Sequence, residues 1–253
     1  MKIQYASDLH LEFESNRVFF KRKPLIPCAP ILVLAGDIDV FTNGQIENTE
    51  LFQYFSDNWE QTYIIPGNHE YYKNGNVAES FSIDVAILQN VSYINNKVIT
   101  IENVDLIFTT LWSEITTYVE KRIRDFHVCH YNGSNFSADN HNLLHHQAVN
   151  FLDHILTLAT ENKRVVVSHF VPSPLVNAYP TQNTLDSKMI SKYFVADLDE
   201  YLKKWNIDYW IYGHNHFNND CKHFNIQFLS NQFGYKQQEE CTDFEVDKIL
   251  IIE

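Results

Sequence analysis

The chain has 253 residues, of which 45% are hydrophobic and 14% aromatic, enough to bury a sizeable core and to exclude a disordered chain. Its formal net charge of -13, from 19 basic and 32 acidic residues, argues against broad nucleic-acid binding, where phosphate neutralisation supplies most of the affinity. No apolar run approaches the roughly 18 residues of a membrane span, and MKIQYASDLHLEF places Asp8 and His10 where a secretory signal would be apolar.

Cys28, Cys129, Cys221 and Cys241 form no CxxC pair and read as free thiols, so the expected setting is the reducing cytoplasm, away from membranes. There is no linker, low-complexity tract or internal repeat, which predicts one domain over 1–253.

Taken in order, the first strand, 3–7, ends in Asp8-Leu9-His10. The second, 31–36, ends in Gly36-Asp37, with helical spacing after it over 47–58. The third, 62–67, ends in Gly67-Asn68-His69, with helical spacing over 77–89. A strand at 106–112 leads into 113–140, a polar, His- and Asn-rich excursion without clear period, expected to cap one face near the site. Helical spacing at 141–160 precedes a strand at 164–169 ending in Ser168-His169. A helix over 187–204 precedes a strand at 208–213 ending in Gly213-His214-Asn215-His216. Strands at 226–230 and 248–253 close the series. Strands alternating with helices predict an α/β sandwich with partly parallel, buried sheets.

Five of these strands finish on Asp, Asn or His, and ligands of open α/β sheets sit beyond the carboxyl ends of the strands. Asp8 and His10 are two apart, as are His214 and His216, so each pair can reach one centre. Imidazole suits Zn, Fe, Mn or Ni, and carboxylate or amide oxygen suits Mn or Mg. Two metals in one centre need a bridging ligand, usually a carboxylate, and Asp37 behind Gly36 is the natural bridge. Taken singly, Asp8 and Asp37 also read as turn or cap residues, and His69 and His169 as ordinary loop or strand-end histidines.

The ordered set D-x-H, G-D, G-N-H-E, H and G-H-x-H over residues 8 to 216 resembles the calcineurin-like metallophosphoesterase superfamily, in particular its bacterial-type members. The resemblance extends to SKYFVADLDEYL, WIYGHNH and NQFGY at 231–235. It implies a four-layer α/β/β/α sandwich of two mixed sheets, with a dinuclear metal site at the carboxyl ends of the strands. One metal would be held by Asp8, His10, Asp37 and His216, the other by Asp37, Asn68, His169 and His214. The two ions would be Mn, Fe, Zn or Ni. His69 would be catalytic, donating a proton to the leaving oxygen or stabilising charge there, while a metal-bound hydroxide attacks phosphorus in line.

Two departures bear on the substrate. Pro66 stands where protein Ser/Thr phosphatases carry a phosphate-binding Arg, and Val40 where they carry the acid that orients the catalytic His. This leaves open what orients His69, and it inclines the expectation towards phosphodiester or nucleotide substrates over a protein phosphatase. Phosphate monoesters and diesters both remain within reach of such a centre. A DNA-repair-type nuclease and a non-catalytic scaffold are the alternatives. The acidic balance counts against the first, and the eight filled motif positions count against the second. Glu70 reads as a structural residue bonded to its own loop. His127, His130, His141, His145 and His146 read as surface imidazoles rather than a third metal site, although His141 and His145 share a helix face. One of these histidines, or Arg122 or Arg124, could reach a substrate phosphate or leaving group, and Tyr71 and Tyr72 read as ordinary packing aromatics ahead of packing against the site or stacking on a base.

Overall fold

The structure is a computed structural model that describes residues 1–41, 49–180, 182–240 and 242–253. Two six-stranded sheets carry the fold. The first runs β14 (Ile249–Ile251), β1 (Lys2–Ala6), β2 (Ile31–Ala35), β3 (Gln61–Ile65), β5 (Val91–Ile94), β4 (Asp84–Leu88). The second runs β12 (Cys221–His223), β13 (Ile226–Ser230), β11 (Tyr209–Tyr212), β10 (Lys163–Ser168), β7 (Val104–Thr109), β6 (Lys97–Ile101). In each sheet the four inner strands are parallel and both edges antiparallel.

Strand alternation explains the layering. In β2 every residue is buried. Ile31, Val33 and Ala35 point to one face and meet Val165, Val167 and Ile211 of the other sheet. Leu32 and Leu34 point to the other face and meet Phe52 and Phe55 of α2 (Thr49–Asn58). On the far side, Val166 and Trp210 pack against Leu144, Ala148 and Leu152 of α5 (Ala138–Leu156). Two apolar faces per strand require cover on both sides, and the outcome is the expected α/β/β/α order.

All eight expected strands are present, and the helical spacing at 141–160 corresponds to α5. The expected helix at 47–58 is α2, and residues 47 and 48 lie outside the described residues, as does Cys241. The expected helix over 77–89 is corrected. Val77–Ser82 forms a 3₁₀ turn, and Asp84–Leu88 is edge strand β4, paired to β5 with a register shift between Ala86 and Leu88. Backbone pairing to an open sheet edge outweighs local spacing there. The helix over 187–204 is broken into α6 (Leu185–Phe194) and α7 (Asp199–Leu202), because Val195 leaves to bridge Val171 and Ala196 N–H donates to the Val171 carbonyl. Helix α1 (Glu14–Arg22) lies where no element was expected.

The 113–140 excursion contains α3 (Thr117–Glu120), α4 (Asp125–Val128) and the small hairpin β8 (His130–Tyr131)–β9 (Ser134–Asn135). Val119, Phe126, Cys129 and Phe136 anchor it to the core beside Trp112. Cys28, Cys129 and Cys221 are free thiols. Among the described residues, no helix is long and apolar enough to cross a membrane.

Candidate metal centre

The carboxyl ends of β1, β2, β3, β10 and β11 open onto one place, and the turns that follow them are unusual. Asp8, His10, Asp37, His214 and His216 all have positive φ, between 47° and 78°. Non-glycine residues seldom occupy that region, and such backbone strain gathers at functional sites. The glycines beside them provide room. A Cβ on Gly67 would lie 2.2 Å from Asp37 Oδ1 and 2.7 Å from His169 Nε2, and one on Gly36, itself at φ 88°, would lie 2.5 Å from His169 Nδ1.

All seven expected ligand residues converge, in two groups that share Asp37. In the first, His10 Nε2 and His216 Nε2 are 3.0 Å apart, His216 Nε2 is 3.4 Å from Asp8 Oδ1, and His10 Nε2 is 3.7 Å from Asp37 Oδ2. In the second, His169 Nε2 is 3.5 Å from the same Asp37 Oδ2, 3.2 Å from Asn68 Oδ1 and 3.1 Å from His214 Nδ1. Asp37 Oδ1 is turned away and accepts the His69 backbone N–H at 2.8 Å. One carboxylate oxygen thus faces both groups while the other is fixed by the chain.

Outer partners fix which ring nitrogen faces inward. His10 Nδ1–H donates to Glu12 Oε1 (3.0 Å), His169 Nδ1–H to the Ala35 carbonyl (2.9 Å), and His216 Nδ1–H to Glu240 Oε2 (2.7 Å). Once neutral, each ring presents its Nε2 lone pair to the centre, the arrangement in which a histidine ligates a metal. Asn68 Nδ2 donates to Asp125 Oδ1 at 3.1 Å, which turns Oδ1 inward. Asp8 is steadied by the Ser7 hydroxyl at 2.5 Å and the His214 N–H at 3.1 Å. Glu70 accepts N–H bonds from Asp37, Ile38 and Gly67, and so ties the turns after β2 and β3 together.

Electrostatics follow from this packing. Burial opposes a charge on His169, but Asp37 outweighs it and raises the imidazole to about 9. Burial likewise opposes a charge on His216, where bonds to Asp8 and Glu240 raise it to about 10. Burial and the charged neighbours His69 and His169 push His10 and His214, respectively, down. Burial disfavours ionised Asp37, yet His169 and His69 hold it well below the usual carboxylate range. Each group therefore pairs one charged with one neutral imidazole and keeps a proton between two nitrogens, where a cation would sit. Lone pairs, carboxylates and an amide oxygen facing one another across 3.0–3.7 Å fit a pair of divalent cations, and no thiolate is among them.

His69 lies against the first donor group, within reach of His10 and Asp37. Tyr72 stacks on its ring with centroids 4.0 Å apart, its Nδ1–H donates to Glu12 Oε1 at 2.7 Å, and its Nε2 is 3.3 Å from the Tyr235 hydroxyl. Burial works against charge on His69, but Asp37 and Glu12 raise its pKa above the ordinary value. Burial also works against ionising Glu12, whose bonds from His10 and His69 hold it at about 2. Above the centre is a pocket of about 270 Å³, lined by Tyr72, Tyr179, Phe194, Phe217, Tyr235 and Arg124 among others.

Several residues at the site went unforeseen. Glu12, Asp125, Glu240 and Tyr235 touch the site without belonging to a strand-end motif, though D-x-H-x-E repeats the two-residue step once more. Arg122 pairs with Asp186 at the surface, whereas Arg124 lines the pocket. Tyr71 is buried in the core, and Tyr72 lines the pocket. The expectation of surface histidines is partly corrected. His127 and His146 are exposed, but His141 and His145 lie on the inward face of α5. His141 sits 5.1 Å from the Trp112 ring, burial lowering it to about 3, and His145 donates to the Trp112 carbonyl.

Comparison with known proteins identifies the family. Over almost its full length (98% of both chains) the sequence is 24% identical to an uncharacterised protein, L509, of Acanthamoeba polyphaga mimivirus. The fold is similar to phosphopantetheinyl hydrolase of Mycobacterium tuberculosis (TM-score 0.68, 15% identity, 96% of this chain and 92% of that one). It is also similar to GAP50, the anchor in the inner membrane complex of Plasmodium (TM-score 0.50, 13% identity, 92% and 72%). Residues 1–218 match the calcineurin-like phosphoesterase family, a span that encloses both donor groups and His69, and the chain belongs to that family.

Proposed function

We propose that this phosphoesterase works through two metal ions, one held by Asp8, His10, Asp37 and His216, the other by Asp37, Asn68, His169 and His214. The observation that carries the reading is Asp37 Oδ2, which faces His10 Nε2 at 3.7 Å and His169 Nε2 at 3.5 Å while Oδ1 is engaged elsewhere. Bound there, the ions supply Lewis acidity to the phosphate oxygens and an activated water as nucleophile.

The chain's own residues do the rest. Asp37 sets the spacing of the two groups. Asn68, pinned by Asp125, presents its oxygen and not its amide nitrogen. His69 turns Nε2 towards the pocket and gives the leaving oxygen its proton, a role its raised pKa suits near neutral pH. The 113–140 excursion acts as a cap, since Ile123, Arg124 and Asp125 form one wall of the pocket.

The substrate we infer is a small phosphodiester or nucleotide. Arg124 is the single guanidinium among the described pocket residues, against several aromatic rings and the carboxylates of Asp125 and Glu240. One cation suits the single charge of a diester better than the double charge of a monoester. The free thiols fit a cytoplasmic setting. The test is metal-free protein reloaded separately with Mn, Zn, Fe and Ni, then assayed on bis-p-nitrophenyl phosphate and p-nitrophenyl phosphate. Two bound ions and faster diester cleavage are expected. One ion at saturation would remove the dinuclear reading, and faster monoester cleavage the diester preference.

A further inference from the structure

We propose that Glu12 is the positioning residue that holds His69 for proton transfer and ties its orientation to the first metal-ligand group. The proposal rests on the hydrolase reading above. The acid that would do this from the loop after Asp37 is missing, since that position is Val40, a buried apolar side chain. Asp39 Oδ1 accepts the N–H of Val40, within its own turn.

Glu12 comes from a different loop, two residues beyond His10. Its side chain is only 9% exposed, and a single oxygen, Oε1, accepts from His69 Nδ1 at 2.7 Å and from His10 Nδ1 at 3.0 Å. The same carboxylate thus sets the tautomer of a ligand and of the proton donor. With Nδ1–H committed to Glu12, His69 can act on the substrate only through Nε2, which points into the pocket towards Tyr235. Tyr72, stacked on the ring, blocks the rotation that would undo this. The rings of His10 and His69 lie edge to face at 4.4 Å, so a shift of Glu12 is felt by both.

The experiment uses the zinc-loaded protein and its Glu12→Ala and Glu12→Gln variants. Metal content, kcat and KM are measured on aryl phosphodiesters whose leaving groups run from p-nitrophenol to phenol. Glu12→Ala should lower kcat about 10–100-fold, the usual loss when an outer-shell partner of a histidine is removed. KM should be little changed at saturating zinc, while the ion held in part by His10, which loses its own outer partner, should bind more weakly. The loss should be largest for phenol, which needs the proton most, and absent when His69 is already Ala. Glu12→Gln, which keeps an acceptor in place, should lose less. Equal losses for every leaving group, or a full further loss in His69→Ala, would reduce Glu12 to a structural prop. Side-chain ¹⁵N spectra provide a reading independent of turnover: His69 should be protonated on Nδ1 in the wild type and lose that preference in Glu12→Ala. A neutral wild-type ring that carries its proton on Nε2 and not on Nδ1 overturns the proposal. Intact Nδ1 protonation with no ester cleaved overturns the phosphoesterase assignment instead.

Discussion

Asn68 and Asp125 are joined by a hydrogen bond of 3.1 Å across 57 positions of sequence. Asp125 also receives the hydroxyls of Tyr72 and Tyr193, at 2.8 and 2.5 Å, so it is locked before it locks Asn68. An amide is nearly symmetrical in shape, and only a partner of known polarity decides which end faces a cation. Asp125→Ala removes that decision. The variant should bind one ion as the wild type does and the other about 10–100-fold more weakly. Zinc titration checks this, and two unchanged affinities would show that Asn68 needs no such partner.

Asp37→Ala is expected to lose both ions, since it removes the oxygen common to the two groups and the acceptor of the His69 N–H. Elemental analysis after dialysis is the measurement. Retention of two ions per chain would contradict the bridge.

His69→Ala should separate binding from chemistry. His69 lies close to His10 and Asp37 but is held through Nδ1 by Glu12, and each donor group is complete without it, so the ions should stay. Turnover should fall roughly 10²–10⁴-fold, the range for losing a positioned general acid. A kcat at the wild-type level would take His69 out of the mechanism.

Metal binding should expel protons. His169 and His216 carry raised values of about 9 and about 10, so both are charged at pH 7 and must become neutral to ligate. The sign is fixed by that order: affinity rises with pH from 7 towards 9 and levels off above about 10, while the number of protons released falls. Calorimetric titration with zinc in buffers of different ionisation enthalpy counts them. An affinity independent of pH between 7 and 9 would mean that the two imidazoles are already neutral.

What was legible in the sequence was what sits on strand ends. Asp8, Asp37, Asn68 and His214 follow apolar runs directly, and the parallel sheets bring such positions together whatever the intervening chain does. The layers were legible for the same reason, because β2 and β10 are apolar on both faces. Residues that touch those positions from elsewhere in the chain were hidden. Glu12 reads as one polar position in an alternating LHLEF. Asp125 and Glu240 lie in stretches without period, and only the folded chain shows that they meet Asn68 and His216. Strand β4 was misread because its pairing partner, not its own spacing, decides its state. Helix α1 was missed because Phe13, at its N-cap, makes no side-chain capping bond and its residues are mostly polar.

The two donor groups straddle the seam of the sandwich. Asp8, His10, Asp37 and Asn68 leave the first sheet, and His169, His214 and His216 leave the second, so each ion would be gripped from both sides. Elsewhere the layers meet mainly through apolar contact, but at this end the ions would act as rivets. At a free concentration a hundred times the dissociation constant, each contributes about 2.7 kcal/mol. Two of them correspond to a Tm change on the order of 10–20 °C in a chain of this size. Chelation should therefore loosen the sheets as well as stop the reaction. Scarcity of metal would then be felt as lost protein as much as lost turnover, the molecule coming apart first at the edge where it works.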